Sequence, residues 1–210
     1  WDWEKVITRD NRNLDYLKLI VRAIVRAICE TNDRLHVRFP QLQVQLDREV
    51  SFITTQELED LYPELTGSER EKAYVREHKT ACIMQIGGKL RSGKPHDGRA
   101  PDYDDWNLNC DIFFWDEVLD RALEISSMGI RVDEEAMERQ LKLAGCEHRK
   151  VLPFHKQLLT GQLPLTIGGG IGQSRLCMLM LEKVHIGEVQ VSVWPEDMTD
   201  ACSAAGIEML

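Results

Sequence analysis

From Leu14 onward, apolar residues recur at helical spacing. Leu14, Leu17, Val21, Ile24, Val25 and Ile28 fall on one stripe, with Asn11 or Asn13 placed to cap the helix. Residues 44–53, of mixed polarity, predict a strand. Thr54 and Glu57 have the spacing of a capping box before a short helix that Pro63 ends, and Ser68 with Glu71 repeats it for a second helix. The apolar run from Ala81 to Ile86 predicts a buried strand. Residues 87–106 are rich in glycine, proline and charge and read as a loop; loops longer than about 15 residues are uncommon unless functional or disordered. Strands are expected over 111–115 and 122–132. Asp133 then caps a helix over 134–144 that Gly145 ends. A short helix over 154–160 follows. A glycine cluster at 168–172 precedes a helix to about Lys183, and 188–194 reads as a closing strand.

Strands adjoin without a crossover helix between each pair. The order therefore predicts an α+β fold, an antiparallel or mixed sheet flanked by helices, rather than a doubly wound one. Nothing linker-like divides the chain, so residues 1–210 are expected to form one catalytic domain.

Composition narrows the function. Of 210 residues, 43% are hydrophobic and 29% charged, the balance of a soluble globular protein large enough to bury a core. No apolar run approaches the ~20 residues of a membrane helix, because Asp15, Lys18, Arg22 and Arg26 interrupt the richest stretch. A net charge of -9 argues against broad electrostatic capture of nucleic acid. Six cysteines without a C-x-x-C pair predict reduced thiols in a cytoplasmic protein and no zinc site.

Four segments carry candidate chemistry. Gly88–Lys94 has the spacing of a phosphate loop, but Pro95 supplies neither the hydroxyl nor the N–H that the motif needs. It reads as a basic lid over an anion or as a solvated loop. Asp102, Asp104 and Asp105 lie among aromatics and read as an acidic turn or as a site for an ammonium group or magnesium. In the strand from Leu123, Glu124, Ser126, Ser127 and Arg131 are unusual for a core, and Arg131 can grip a carboxylate with two parallel N–H bonds. Gly168, Gly169, Gly170 and Gly172 let a ligand approach the backbone just before a helix N-terminus, with Arg175 in the first turn. The six histidines show no metal-ligand spacing; His96, in the basic loop, is the exception worth testing.

Gly168 to Leu176 resembles motif 3 of the class II aminoacyl-tRNA synthetase catalytic fold, and Glu124 to Arg131 resembles a substrate-binding strand of its aspartyl and asparaginyl members. The wider set resembles the ammonia-dependent asparagine synthetases: Trp1-Asp2-Trp3-Glu4, Gly87 to Leu90, Asp97 to Trp106, Asp111, Ser126 to Asp133, Thr166 to Leu176, His185 to Gly187 and Val193 to Pro195. That resemblance implies an ATP-dependent ligase making asparagine from aspartate and ammonia through a β-aspartyl-adenylate, with AMP and diphosphate released. It implies catalytic Asp104 and Arg175, and an aspartate pocket of Asp2, Asp104, Ser126, Ser127 and Arg131. ATP would meet Glu124, Gly170, Gly172 and Arg175, with Mg2+ on Asp111 and Glu124. A homodimer using small-molecule substrates alone, without nucleic acid or membrane, is also implied. The family pattern has a segment before Trp1, with the motif 1 helix and motif 2 arginine, and an extra stretch between Trp106 and Asp111. The chain is thus expected to be partial relative to the family. The alternatives are an impaired fragment, an amino-acid- or nucleotide-binding protein of this fold, and a tRNA-acylating enzyme.

Overall fold

The computed structural model describes residues 1–210. Its centre is a six-stranded sheet of β1 (Asp2–Val6), β2 (Ser51–Thr54), β3 (Thr80–Met84), β4 (Asp104–Asp116), β5 (Arg121–Arg131) and β6 (Thr166–Ile171). The order is β1-β6-β5-β4-β3-β2, antiparallel throughout except for the parallel pair of β2 and β3. This is the mixed sheet expected from the sequence.

One face is covered by α1 (Leu14–Arg38), whose Leu17, Val21, Val25 and Ile28 join Met84, Ile112, Phe114, Met128, Ile130 and Ile167 in the main core. Asn13 is the cap, accepting from the Tyr16 N–H at 2.8 Å, whereas Asn11 bonds back to Thr8. The other face is covered only in part. There α2 (Thr55–Leu61) and α3 (Gly67–His78) pack Leu58, Tyr74 and Val75 over the β2–β3–β4 end. Next to them α4 (Glu134–Leu143) and α5 (Pro153–Leu159) form a small core of Met137, Leu141 and Leu158. Between these groups the β4–β5–β6–β1 surface is free to hold a ligand.

Several boundaries differ from expectation. The box that starts α3 is Thr66 with Glu69, two residues before the predicted pair. Both pairs have the right spacing, and starting earlier frees Glu71 to reach His96. Only 51–54 of the predicted 44–53 strand joins the sheet. The preceding residues bond to side chains instead, Val44 O to Asn32 and Asp47 O to Thr80. The predicted strand over 188–194 is absent: Val191 and Val193 are 77% and 97% exposed with no strand beside them. That segment lies between α6 (Gln173–Met180) and the unpredicted α7 (Glu196–Ala204). The glycine cluster is itself a strand, β6, and pairs with the unpredicted edge strand β1. No helix is long and apolar enough to cross a membrane.

Candidate active site

Strand register assembles the site. Asp2 pairs with Gly170 and Glu4 with Gly168; these glycines pair with Ser127 and Gly129, and Ser127 and Gly129 with Asp111 and Asn109. Side chains alternate along a strand, so these positions share one face. Met128, Ile130 and Ile167 point the other way, under α1. The floor between Asp2, Glu4 and Arg131 is therefore made of glycine. A Cβ on Gly170 would sit 2.9 Å from Asp2 Oδ1, and one on Gly168 would collide with Glu4 and come 2.6 Å from Arg131 Nη2. None of the β6 glycines has a positive φ, so close approach is what requires them.

At one end of the face Arg131 bridges two carboxylates. Its Nη1 donates to Asp104 Oδ1, its Nη2 to Glu4 Oε2 at 2.8 Å, and its Nε to both Glu4 oxygens at 3.1 and 3.2 Å. The Tyr103 ring lies 4.1 Å from the guanidinium carbon, a cation–π contact that fixes its plane. Burial pushes the Asp104 carboxyl above its usual range, although Arg131 opposes the shift. Asp2, exposed, stands over Gly170. Carboxylates and an arginine within one amino acid's reach match both charges of a zwitterion.

At the other end a cavity of about 480 Å³ opens between Phe113, Ala122, Glu124, Arg175, His185 and Ile186. Arg175 reaches back from α6 to Glu124, with Nη1 3.4 Å from Oε1 and 3.1 Å from the backbone oxygen. Between the two ends lies Asp111. Burial pushes its carboxyl up to about 6; Arg99 pulls against that shift and Glu124 adds to it. Arg99 Nη2 donates to Asp111 Oδ2, while Oδ1 is buried without a partner.

Not every expected residue is at this face. Ser126 points away: it pairs with core Ile112, and its buried hydroxyl has no partner. A bulge between Ile112 and Phe113 shifts the register there, which puts Glu124 on the site face but not Ser126. Gly172 follows β6 as the N-cap of α6 rather than lying on the floor. The acidic turn divides: only Asp104 reaches the site. Asp102 bonds Arg149 and His155 at 2.9 and 3.0 Å, and Asp105 pairs with Arg12 and Arg139, both at 2.9 Å. The basic segment 88–95 is a small hairpin docked on α2, where Arg91 bonds Asp60 at 2.8 Å, and it does not line the cavity. His96, buried, bonds Glu71 at 2.9 Å, and Glu71 borders the cavity. Arg131 is already gripped by two carboxylates, so a substrate carboxylate must share or displace them. Glu4, Arg99, Tyr103 and Phe113 were not read from the sequence. Glu4 had a signal, since it stands two residues from Asp2 and so shares its face on any strand.

Comparison with known proteins gives the family and the fold. A family model described as aspartate-ammonia ligase matches residues 1–206. Aspartate--ammonia ligases of Clostridium tetani and Lactobacillus johnsonii are each 58% identical to the chain, over 210 and 211 residues. Each alignment takes in 100% of the chain and 62% or 63% of the relative, so the chain spans under two thirds of their length. Among solved structures, an aspartyl tRNA synthetase from Entamoeba histolytica shares the fold at TM-score 0.62 and 17% identity, over 90% of this chain and 41% of that one. An asparaginyl-tRNA synthetase from Pyrococcus horikoshii complexed with asparaginyl-adenylate does so at 0.57 and 14%, over 89% and 44%. The open sheet face, its glycine floor and its charged ends thus lie in a chain that belongs to the aspartate–ammonia ligase family.

Proposed function

We propose that the chain carries the catalytic face of an ATP-dependent ligase that makes asparagine from aspartate and ammonia and releases AMP and diphosphate. One observation carries this reading: a zwitterion-sized charged cluster and a nucleotide-sized cavity share one sheet face. Aspartate lies on the glycine floor, its ammonium toward Asp2 and Asp104 and a carboxylate on Arg131, near Ser127. ATP fills the cavity, with Arg175 against it and Gly170 admitting it close to the backbone. The β-carboxylate of aspartate attacks the α-phosphorus and diphosphate leaves. Ammonia then attacks the acyl carbon as the neutral base and gives up a proton while AMP departs. Asp104, beside the substrate, accepts that proton.

Magnesium fits the donor set. Asp111 Oδ1 is buried and bare, Glu124 raises the Asp111 pKa by its charge, and one or two carboxylates with phosphate oxygens suffice for this ion. When bound there, the ion offsets the charge of the phosphates. Asp111 and Glu124 hold it; Arg175 orients the nucleotide. The acidic net charge supports a reaction on small molecules rather than tRNA. Six free cysteines support a reducing, cytoplasmic setting. The apolar strip of Trp3, Ile20, Ala23, Ile24, Ala27 and Ile171 supports a homodimer by offering a face for a second copy.

The test is to mix the chain with aspartate, Mg-ATP and 15N-ammonium. Labelled asparagine formed together with AMP is expected. ATP and aspartate binding without product, when the full-length gene product does form product, would instead mark the chain as a binding fragment. AMP release that depends on tRNA would favour the acylating alternative.

A further inference from the structure

Arg99 sits where the two halves of the site meet. Its charge acts on Asp104 at the amino-acid end and on Asp111 at the cavity end, and its guanidinium donates to Asp111 Oδ2. Its other bonds, to Asp97 Oδ2 and Gly98 O, both at 3.0 Å, lie within its own loop. No strand or helix is disturbed if it turns. The cavity's own cations, Arg121 and Arg175, lie at the far end, beside Glu124 and Ala122. The junction, where an α-phosphate must meet a β-carboxylate, has Arg99.

We propose that Arg99 is an exchangeable counter-ion: it neutralises Asp111 in the free chain and, when a divalent cation takes Asp111, moves onto the nucleotide phosphates as a catalytic residue. This rests on the reading of Asp111 as a metal ligand. The physical reason is charge. Asp111 and Glu124 share a face and repel, and a guanidinium on one carboxylate oxygen lowers that repulsion until a metal ion replaces it. The released guanidinium is then a planar donor pair beside phosphate oxygens, the geometry arginine recognises best.

Two measurements on the 210-residue chain test this. Manganese binding is read from the electron paramagnetic resonance signal of the free ion, and binding of α,β-methylene ATP with manganese is read by calorimetry. Arg99→Gln is expected to bind manganese about tenfold tighter without nucleotide, because a charge-assisted competitor is gone. The same variant is expected to bind the nucleotide about tenfold more weakly. Arg99→Lys should keep part of the nucleotide affinity and serves as the folded control. Unchanged manganese affinity, or unchanged nucleotide affinity, in Arg99→Gln overturns the proposal. Asp111→Asn separates the two readings: if it binds manganese as the parent does, Asp111 is not a ligand and the underlying assignment fails, whatever Arg99 does.

Discussion

Replacing Asp111 by asparagine should change how stability depends on pH. In the folded chain burial holds this carboxyl up at about 6, from a reference value of 3.8. Between those values the folded state binds more protons than the unfolded one, so the group's contribution is present below pH 4 and lost as pH rises through 6. At pH 5 the folded carboxyl is mostly protonated and the unfolded one is mostly not, a contribution of about 1 kcal/mol; at pH 7.5 it is near zero. The parent should therefore lose about 1 kcal/mol of stability from pH 5 to 7.5 through this residue. Asp111→Asn does not titrate and lacks that component, while the other carboxylates contribute alike to both proteins. Urea unfolding at several pH values on both proteins reads the difference directly. Arg99, left without its partner, shifts the whole Asp111→Asn curve but not its slope, because arginine does not titrate in this range. Parallel curves from pH 5 to 7.5, or a difference of the opposite sign, would refute the reasoning that burial dominates over Arg99 at this carboxyl.

Other changes probe the rest of the site. Gly169→Ala should cost about 1–3 kcal/mol in urea unfolding. Its Cβ would come 2.7 Å from Ser127 O and 2.9 Å from Met128 Cα, and backbone has little room to yield. Gln140→Leu should cost about 2–4 kcal/mol, seen as a lower Tm, because it strands buried polar groups. The Gln140 side chain donates to Pro101 O and Asp104 O, both at 3.0 Å, and accepts from Trp106 N at 2.8 Å. Arg131→Lys should raise the aspartate KM about tenfold, since one ammonium cannot reproduce the fork that spans Glu4 and Asp104; an unchanged KM would remove Arg131 from the aspartate pocket. Arg175→Ala should lower kcat/KM for ATP by about 2–4 kcal/mol of transition-state stabilisation, and no change would remove its nucleotide role.

Much of the fold was legible because local chemistry decided it. The stripe of α1, the Thr54–Glu57 box and the Asp133 cap each act over a few residues, and each appears where the sequence puts it. The failures share a cause. Val189, Val191 and Val193 alternate as a strand does, yet alternation makes a strand only where a neighbour supplies the ladder, and none lies beside them. The glycines of β6 look like a turn until β1 and β5 flank them. Edge and partner are properties of the sheet, not of the segment.

The site follows the same rule one level up. Its residue types were visible, but their directions were not. Asp104 and Asp105 are neighbours in sequence, and pleating alone sends one to Arg131 on the open face and the other to Arg12 and Arg139. Ser126 and Ser127 diverge in the same way, and Glu124 joins Ser127's face only through a bulge that pattern reading does not register. Arg99 is the extreme case. Its twelve-residue separation from Asp111 runs through the turn at 100–103 and the register shift at the start of β4, so nothing in the spacing announces that the two form an ion pair. Conversely, the exposed Asp2 was read from the resemblance, and the strand that lifts it over Gly170 was not. Sequence thus conveys which charges a site must reconcile, and register decides which of them meet.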